Sequence, residues 1–271
     1  MLPPRSLLVI CAAGDELRVR KPEGENFRHG KIAHRLFLFL AHSAKTAEHR
    51  SRMERPCAKL LTSEMTQTEL DGLRDTLSTR QRPGQHLEIG TAAGGTLCEM
   101  MRAATHRPRF VVIDTMTYFA NQRETVEKNL RSHGLPLDQV EFRVMRSWDA
   151  FQDAIRTREA FDFILIDGTH KFRYVMQDLH WAGLLNPNGI LALHDYTPRL
   201  RSVKWAADYF LANNRNYHRV ALAGSLLILE KTAPDGPRGP NLLPDPVASL
   251  MHPLFQFENS VRKRLGMETS A

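Results

Sequence analysis

The chain has 271 residues, 42% hydrophobic and 25% charged, with a formal net charge of +7. That length allows one or two domains with a full core, and the composition is that of a globular protein rather than a fibrous or disordered one. The positive balance favours acidic partners, but the basic residues are scattered without interleaved aromatics, which argues against a nucleic-acid surface.

Residues 1–80 mix charges with apolar residues at helical spacing, as in Ile32, Leu36, Phe39 and Leu40, and again in Leu60, Leu61, Met65, Leu70 and Leu73. This predicts a leader followed by two or three helices that cap the main domain. The apolar runs 7–13 and 36–41 are too short to span a bilayer, and the first lacks a cleavage site, so neither a secretory signal nor an integral membrane segment is expected. Cys11, Cys57 and Cys98 are widely separated and form neither a zinc pair nor a disulfide framework, which fits a cytoplasmic protein. Arg80-Gln81-Arg82-Pro83-Gly84 marks a hinge-like break.

From residue 85 short apolar runs alternate with helical stretches. Strands are predicted at 85–89, 109–114, 140–145, 161–167 and 189–195, and helices at 96–104, 122–132, 148–157, 172–185 and 200–213. Such alternation implies βαβ units and a parallel, doubly wound sheet. Two further strands, 217–221 and 225–229, flank Ala223-Gly224 and must form a hairpin, giving a seven-stranded sheet with an antiparallel edge strand. Residues 232–246 are rich in Pro and Gly and read as a linker. Residues 254–265 predict a short amphipathic helix, packed on the domain or at a contact between copies of the chain in preference to a membrane surface.

In an open parallel sheet, ligands bind beyond the carboxyl ends of the strands. The first strand ends in Glu88 and Gly90, the second in Asp114, and the third is followed by Ser147 and Trp148. The fourth ends in Asp167-Gly168-Thr169-His170 and the fifth in His194-Asp195. One such acid is readily a helix cap; acids at four of five ends converge on one crevice. Asp114 follows Gly90 at the distance expected of a ribose-binding acid. The turn itself reads Gly90-Thr91-Ala92-Ala93-Gly94-Gly95, with alanine where a dinucleotide fingerprint has its second glycine. That glycine lets the backbone approach a pyrophosphate, so a cofactor without a pyrophosphate fits better.

Glu88-Ile89-Gly90-Thr91-Ala92-Ala93-Gly94-Gly95-Thr96 resembles motif I of class I S-adenosylmethionine-dependent methyltransferases. Phe161-Asp162-Phe163-Ile164-Leu165-Ile166-Asp167-Gly168-Thr169-His170 is similar to the Y-D-F-I-x-I-D-G-x-H segment of one subgroup. The stretch from Leu184 to Asp195 resembles its L-L-x-P-G-G-x-x-x-x-H-D segment, with Asn188 in place of glycine. The resemblance runs over residues 85–230. It is nearest to small-molecule O-methyltransferases, including those acting on sugars of macrolides and glycolipids, and to the cephalosporin hydroxylase-like group.

This resemblance implies a Rossmann-like fold and methyl transfer to a hydroxyl of a small molecule or sugar. Gly90, Thr91 and Gly94 would shape the turn around the methionine part of the cofactor, Glu88 would hold its amino group, and Asp114 its ribose hydroxyls. Ser147 and Trp148 would sit by the adenine, though an indole there suits a core equally well. Asp167, His194 and Asp195 fall where metal-dependent members place their ligands, although histidine is a poor partner for Mg²⁺. His170 would act as general base, since histidine titrates near working pH, with Asp167 as the second catalytic residue and as a further cofactor-binding one. A homo-oligomer is compatible with the sequence. Two other readings stay open: a dinucleotide-dependent oxidoreductase, and a Rossmann-like binding protein without turnover.

Overall fold

The computed structural model describes residues 63–80 and 83–264. The expected elements before residue 63, together with Cys11 and Cys57, lie outside the described residues. The first described helix is α1 (Gln67–Thr79), and the sheet domain follows as β1 (His86–Ile89), α2 (Gly95–Ala103), β2 (Phe110–Asp114), α3 (Gln122–Ser132) and β3 (Val140–Val144). It continues through α4 (Ser147–Thr157), β4 (Phe161–Ile166), α5 (Phe172–Asp178), β5 (Leu185–Leu193), α6 (Arg201–Asn213), β6 (Tyr217–Ala223), β7 (Leu226–Lys231) and α7 (Asp245–Arg264).

The seven strands form one sheet in the order β3-β2-β1-β4-β5-β7-β6. The pairs from β3 through β5 are parallel, and β7 runs antiparallel to both β5 and β6. The expected hairpin therefore forms that edge, with the antiparallel strand inside and β6 outermost. The chain winds one way from β1 to β3 and the other way from β4 onward. The reversal point lies between β1 and β4.

β1 and β4 are almost wholly buried because helices cover both faces, which is why they read as near-continuous apolar runs. On one face α1, α2 and α3 bury Leu73, Leu77, Leu97, Met100 and Val126 against Val112, Phe163 and Ile228. On the other, α4 to α7 bury Phe151, Phe172, Trp181 and Phe210 against Leu87, Ile89, Val111 and Ile164. Each such large side chain contributes about 1.5–3 kcal/mol relative to exposure. The two-residue period of β1 sends Leu87 and Ile89 to the second face. It turns His86 toward Phe110 and Phe163 on the first, and Glu88 with it.

Three elements differ from expectation. The stretch 172–185 is α-helical only to Asp178 and then tightens into a 3₁₀ segment, Leu179–Leu184. β5 begins earlier than predicted, at Leu185, but its pairing with β4 jumps from Phe161↔Leu185 to Phe163↔Ile190. Asn186-Pro187-Asn188-Gly189 thus bulges out as the turn its composition suggests, and Asn188 takes φ +62°, a left-handed conformation that asparagine tolerates. The C-terminal helix starts at Asp245, nine residues before the expected 254. Pro246 sits in its first turn, where proline is accommodated. Pro253 is on its exposed side.

Candidate functional site

The crevice at the reversal point is built first by glycine. Gly90 ends β1 at φ +83°, and a Cβ on it would lie 2.3 Å from the Asp167 carbonyl oxygen at the end of β4. No other residue allows the two strand ends to approach so closely. The Gly94 N–H closes the turn on the Thr91 carbonyl at 2.7 Å. α2 starts at Gly95 with no side-chain cap, so its first N–H groups face the crevice.

Three side chains at or beyond the end of β2 fix this turn. Asp114 Oδ2 accepts the Thr91 N–H at 3.0 Å and the Gln122 amide at 3.3 Å, while its Oδ1 accepts the Met116 N–H at 2.7 Å. Gln122 also donates to the Ala92 carbonyl at 3.0 Å, and Asn129 to the Ala93 carbonyl at 2.7 Å. α3 thereby holds the turn that the cofactor would meet. Gln122 and Asn129 escape a sequence reading because they look like ordinary polar positions of a surface helix.

Glu88 lies under the turn, fully buried, and neither of its carboxylate oxygens has a hydrogen-bond partner of good geometry. The Thr91 hydroxyl beside it is likewise buried and unsatisfied. Burial pushes the Glu88 carboxyl up to about 8; the nearby Thr91 hydroxyl opposes this, and the charges of Asp167 and Asp114 add to it. A buried acid left without a partner costs free energy unless something else supplies one.

Ser147 opens α4, and its Oγ accepts the Trp181 indole N–H at 2.9 Å. It also meets Asp178, whose carboxyl burial pushes up to about 7 despite that hydrogen bond. Trp148 is half-buried, with its ring 5.6 Å from Phe151 and 5.2 Å from His180.

The ends of β4 and β5 gather two acids and two histidines. His194 Nδ1 is 2.8 Å from Asp167 Oδ1 and 3.5 Å from Asp195 Oδ2. His170 Nε2 is 2.5 Å from Asp195 Oδ2. Asp195 sits at φ +61°, an uncommon conformation for a residue with a side chain. A third acid arrives from α1: Glu69 Oε2 is 3.4 Å from His194 Nε2, and Glu69 Oε1 accepts both the N–H and the hydroxyl of Ser225. Burial alone would lower the His194 pKa. Its hydrogen bond to Asp167 and the charges of Asp167, Asp195 and Glu69 outweigh burial and raise it to about 9. The Asp195 contact raises His170 as well, against the effect of burial.

Glu69 is a further site residue that sequence reading misses. Its visible signal is Thr66-Gln67-Thr68-Glu69, a capping box: Thr66 caps α1 and the Glu69 side chain returns to the Thr66 N–H at 2.7 Å. Nothing local says that the same carboxylate also reaches the far end of the sheet.

Asp167, His194 and Asp195 each offer a ligand atom within 4.8 Å of the others. Two carboxylates and one imidazole suit a divalent cation, with the imidazole favouring Mn²⁺ or Fe²⁺ over Mg²⁺. Among the described residues, no helix is long and apolar enough to cross a membrane.

Residues 87–196 match the family model of a methyltransferase domain. No curated protein matches the chain in sequence. Among solved structures, the fold is similar to that of an O-methyltransferase from Bacillus cereus in complex with SAH, at TM-score 0.51 and 19% identity, over 64% of this chain and 84% of that one. It is also similar to cofactor-bound Rv0187 from MTB, at TM-score 0.50 and 16% identity, over 71% of this chain and 89% of that one. The matched segment contains the glycine turn, Asp114, the Asp167-to-His170 loop and His194-Asp195, so the crevice at the sheet reversal lies within the stretch that is similar to a methyltransferase domain.

Proposed function

We propose that this chain binds S-adenosylmethionine at the glycine turn and methylates a hydroxyl of a small molecule or sugar. The observation that carries the reading is Glu88: a fully buried carboxyl with two unpartnered oxygens beside a turn that only glycine can make. What it lacks is a compact cation with N–H donors, which the amino group of the methionine moiety supplies. Asp114 would take the ribose hydroxyls, and Ser147 and Trp148 would border the adenine. Ala92, at φ +43°, keeps a Cβ where a dinucleotide site needs glycine.

When bound, the sulfonium supplies an electrophilic methyl group. The protein's own part is to position the acceptor, exclude water and remove a proton. His170 is the base in this reading. Asp195 holds its Nε2–H, which orients the ring and strengthens the base, and Nδ1 takes the proton of the attacking hydroxyl. A divalent cation held by Asp167, His194 and Asp195 would lower the pKa of that hydroxyl and orient a diol. Without the cation, protonated His194 balances the same cluster of acids. A cytoplasmic location belongs to the same reading.

Calorimetric titration with S-adenosylhomocysteine tests the proposal. Binding that Asp114→Ala abolishes supports it; no heat at about millimolar ligand, a free energy near −4 kcal/mol, overturns it. Mn²⁺ titration followed by electron paramagnetic resonance tests the cation, with Asp195→Asn as the variant that should lose it.

A further inference from the structure

α7 is amphipathic, and its second apolar stripe is uncovered. One side docks on the domain: Ala248 is buried, Met251 and Phe255 pack against the core, and the Phe255 ring stacks on Phe172 at 4.5 Å. On the other side Val247, Leu250, Leu254 and Phe257 recur every three or four residues and are 40%, 76%, 68% and 71% exposed. Tyr174 and Trp205, both exposed, flank the helix through ring contacts with His252 and Phe255. Large apolar side chains in such a row mark a surface that meets something other than water.

The charges on the helix indicate what that is. Its two acids are both neutralised by the domain. Asp245 accepts a bidentate pair from Arg173 at 2.8 and 3.0 Å, and Glu258 pairs with Arg201 at 2.5 Å. The last turn then carries Arg262, Lys263 and Arg264 in succession. An apolar row ending in a basic cluster is complementary to an anionic bilayer: side chains enter the acyl boundary while cations meet lipid phosphates. A second copy is the weaker occupant, because each chain brings a net charge of +7.

We infer that α7 is a docking surface for an anionic lipid bilayer, held by Val247, Leu250, Leu254 and Phe257 and by the basic last turn. The surface adjoins the site. Phe172, on which Phe255 stacks, opens α5 two residues after His170, and Ser202, next to the Arg201 that binds Glu258, donates to the His170 carbonyl at 2.5 Å. Docking therefore brings the His170 loop toward the membrane surface.

Vesicle flotation of the full chain without cofactor tests this independently of methyl transfer. The chain should float with phosphatidylcholine vesicles containing phosphatidylglycerol, not with phosphatidylcholine alone, and should be released by salt. Leu254→Ser combined with Phe257→Ser should weaken vesicle binding at least about tenfold, with the thermal melt unchanged because both side chains are exposed. Arg262→Glu with Arg264→Glu should do the same. Absence of flotation overturns the inference, as does equal binding to neutral vesicles. So does a dimer in sedimentation that Phe257→Ser dissociates, which would assign the face to a second copy. Flotation that persists while S-adenosylhomocysteine fails to bind would overturn the proposed function and leave the docking surface standing.

Discussion

Among the described residues, two buried ionisable sites differ in whether their groups are satisfied. At the hairpin edge, Lys231 is 2% exposed, and its Nζ donates to the carbonyls of Ala182 and Leu185 and to Asp235. Asp235 also accepts from the Tyr217 hydroxyl and the Asn216 amide. Every donor of the ammonium has an acceptor, and both oxygens of the carboxylate are in use. At the glycine turn, Glu88 is buried as deeply, and beyond the poorly aligned Thr91 hydroxyl its carboxyl has no hydrogen-bond partner among the described residues. The first arrangement is complete within the chain and fastens the edge of the sheet. The second is incomplete, and it lies at the sheet reversal, where open parallel sheets take their ligands.

The sharpest way to separate the two is by what each substitution damages. His170→Ala should lower kcat by about 10²–10⁴-fold with S-adenosylhomocysteine affinity unchanged, since it removes a proton acceptor rather than a support. A loss of affinity of equal size would make His170 a structural residue. Lys231→Ala should cost about 3–5 kcal/mol of stability in a denaturant titration, because it strands a buried carboxylate. The Glu88 site predicts the reverse. Asp114→Ala comes next and should weaken cofactor-analogue binding by about 100-fold or more, roughly 2.7 kcal/mol, since it removes the proposed ribose contact together with the anchor of the Thr91 N–H.

The effect at Glu88 has a distinctive sign. Glu88 is held near 8 in the folded chain against an ordinary value of 4.5. Folding therefore favours its neutral form, and the cost of ionising it grows as pH rises from about 4.5 through 8. Glu88→Gln should melt like wild type at pH 4.5 and higher than wild type at pH 8.5, by at most a few kcal/mol, while losing affinity for the cofactor analogue. A variant less stable than wild type at both pH values would mean that the carboxyl has a partner within the fold.

Most of the fold was legible because it rests on period and punctuation. Strands ending in Glu88, Asp114, Asp167 and Asp195 are apolar runs closed by an acid, and the turn at Gly90 is visible as glycine. Asn188 looked like a departure from the usual glycine, yet its left-handed φ serves the same geometry. What could not be read depends on distance along the chain. Glu69 meets Ser225 across most of the domain's sequence, and a capping box explains its presence without that contact. Likewise the start of α7 was hidden by its prolines. An interior proline costs about 3 kcal/mol, and the Phe172 stack and the two arginine pairs that offset it lie outside the helix's own sequence.

Glu69 also bears on where the working unit begins. One carboxylate caps the start of α1, holds the β6–β7 turn through Ser225 and touches His194. Its hydrogen bonds hold it well down, at about 2, in spite of burial. A fragment cut at the hinge-like break before β1 would keep the whole segment that matches the methyltransferase-domain model and lose this clasp. Fraying of α1 would release the β6–β7 turn and the Glu69 contact with His194 together. The matched segment and the contacts that hold its site therefore begin at different places in the chain.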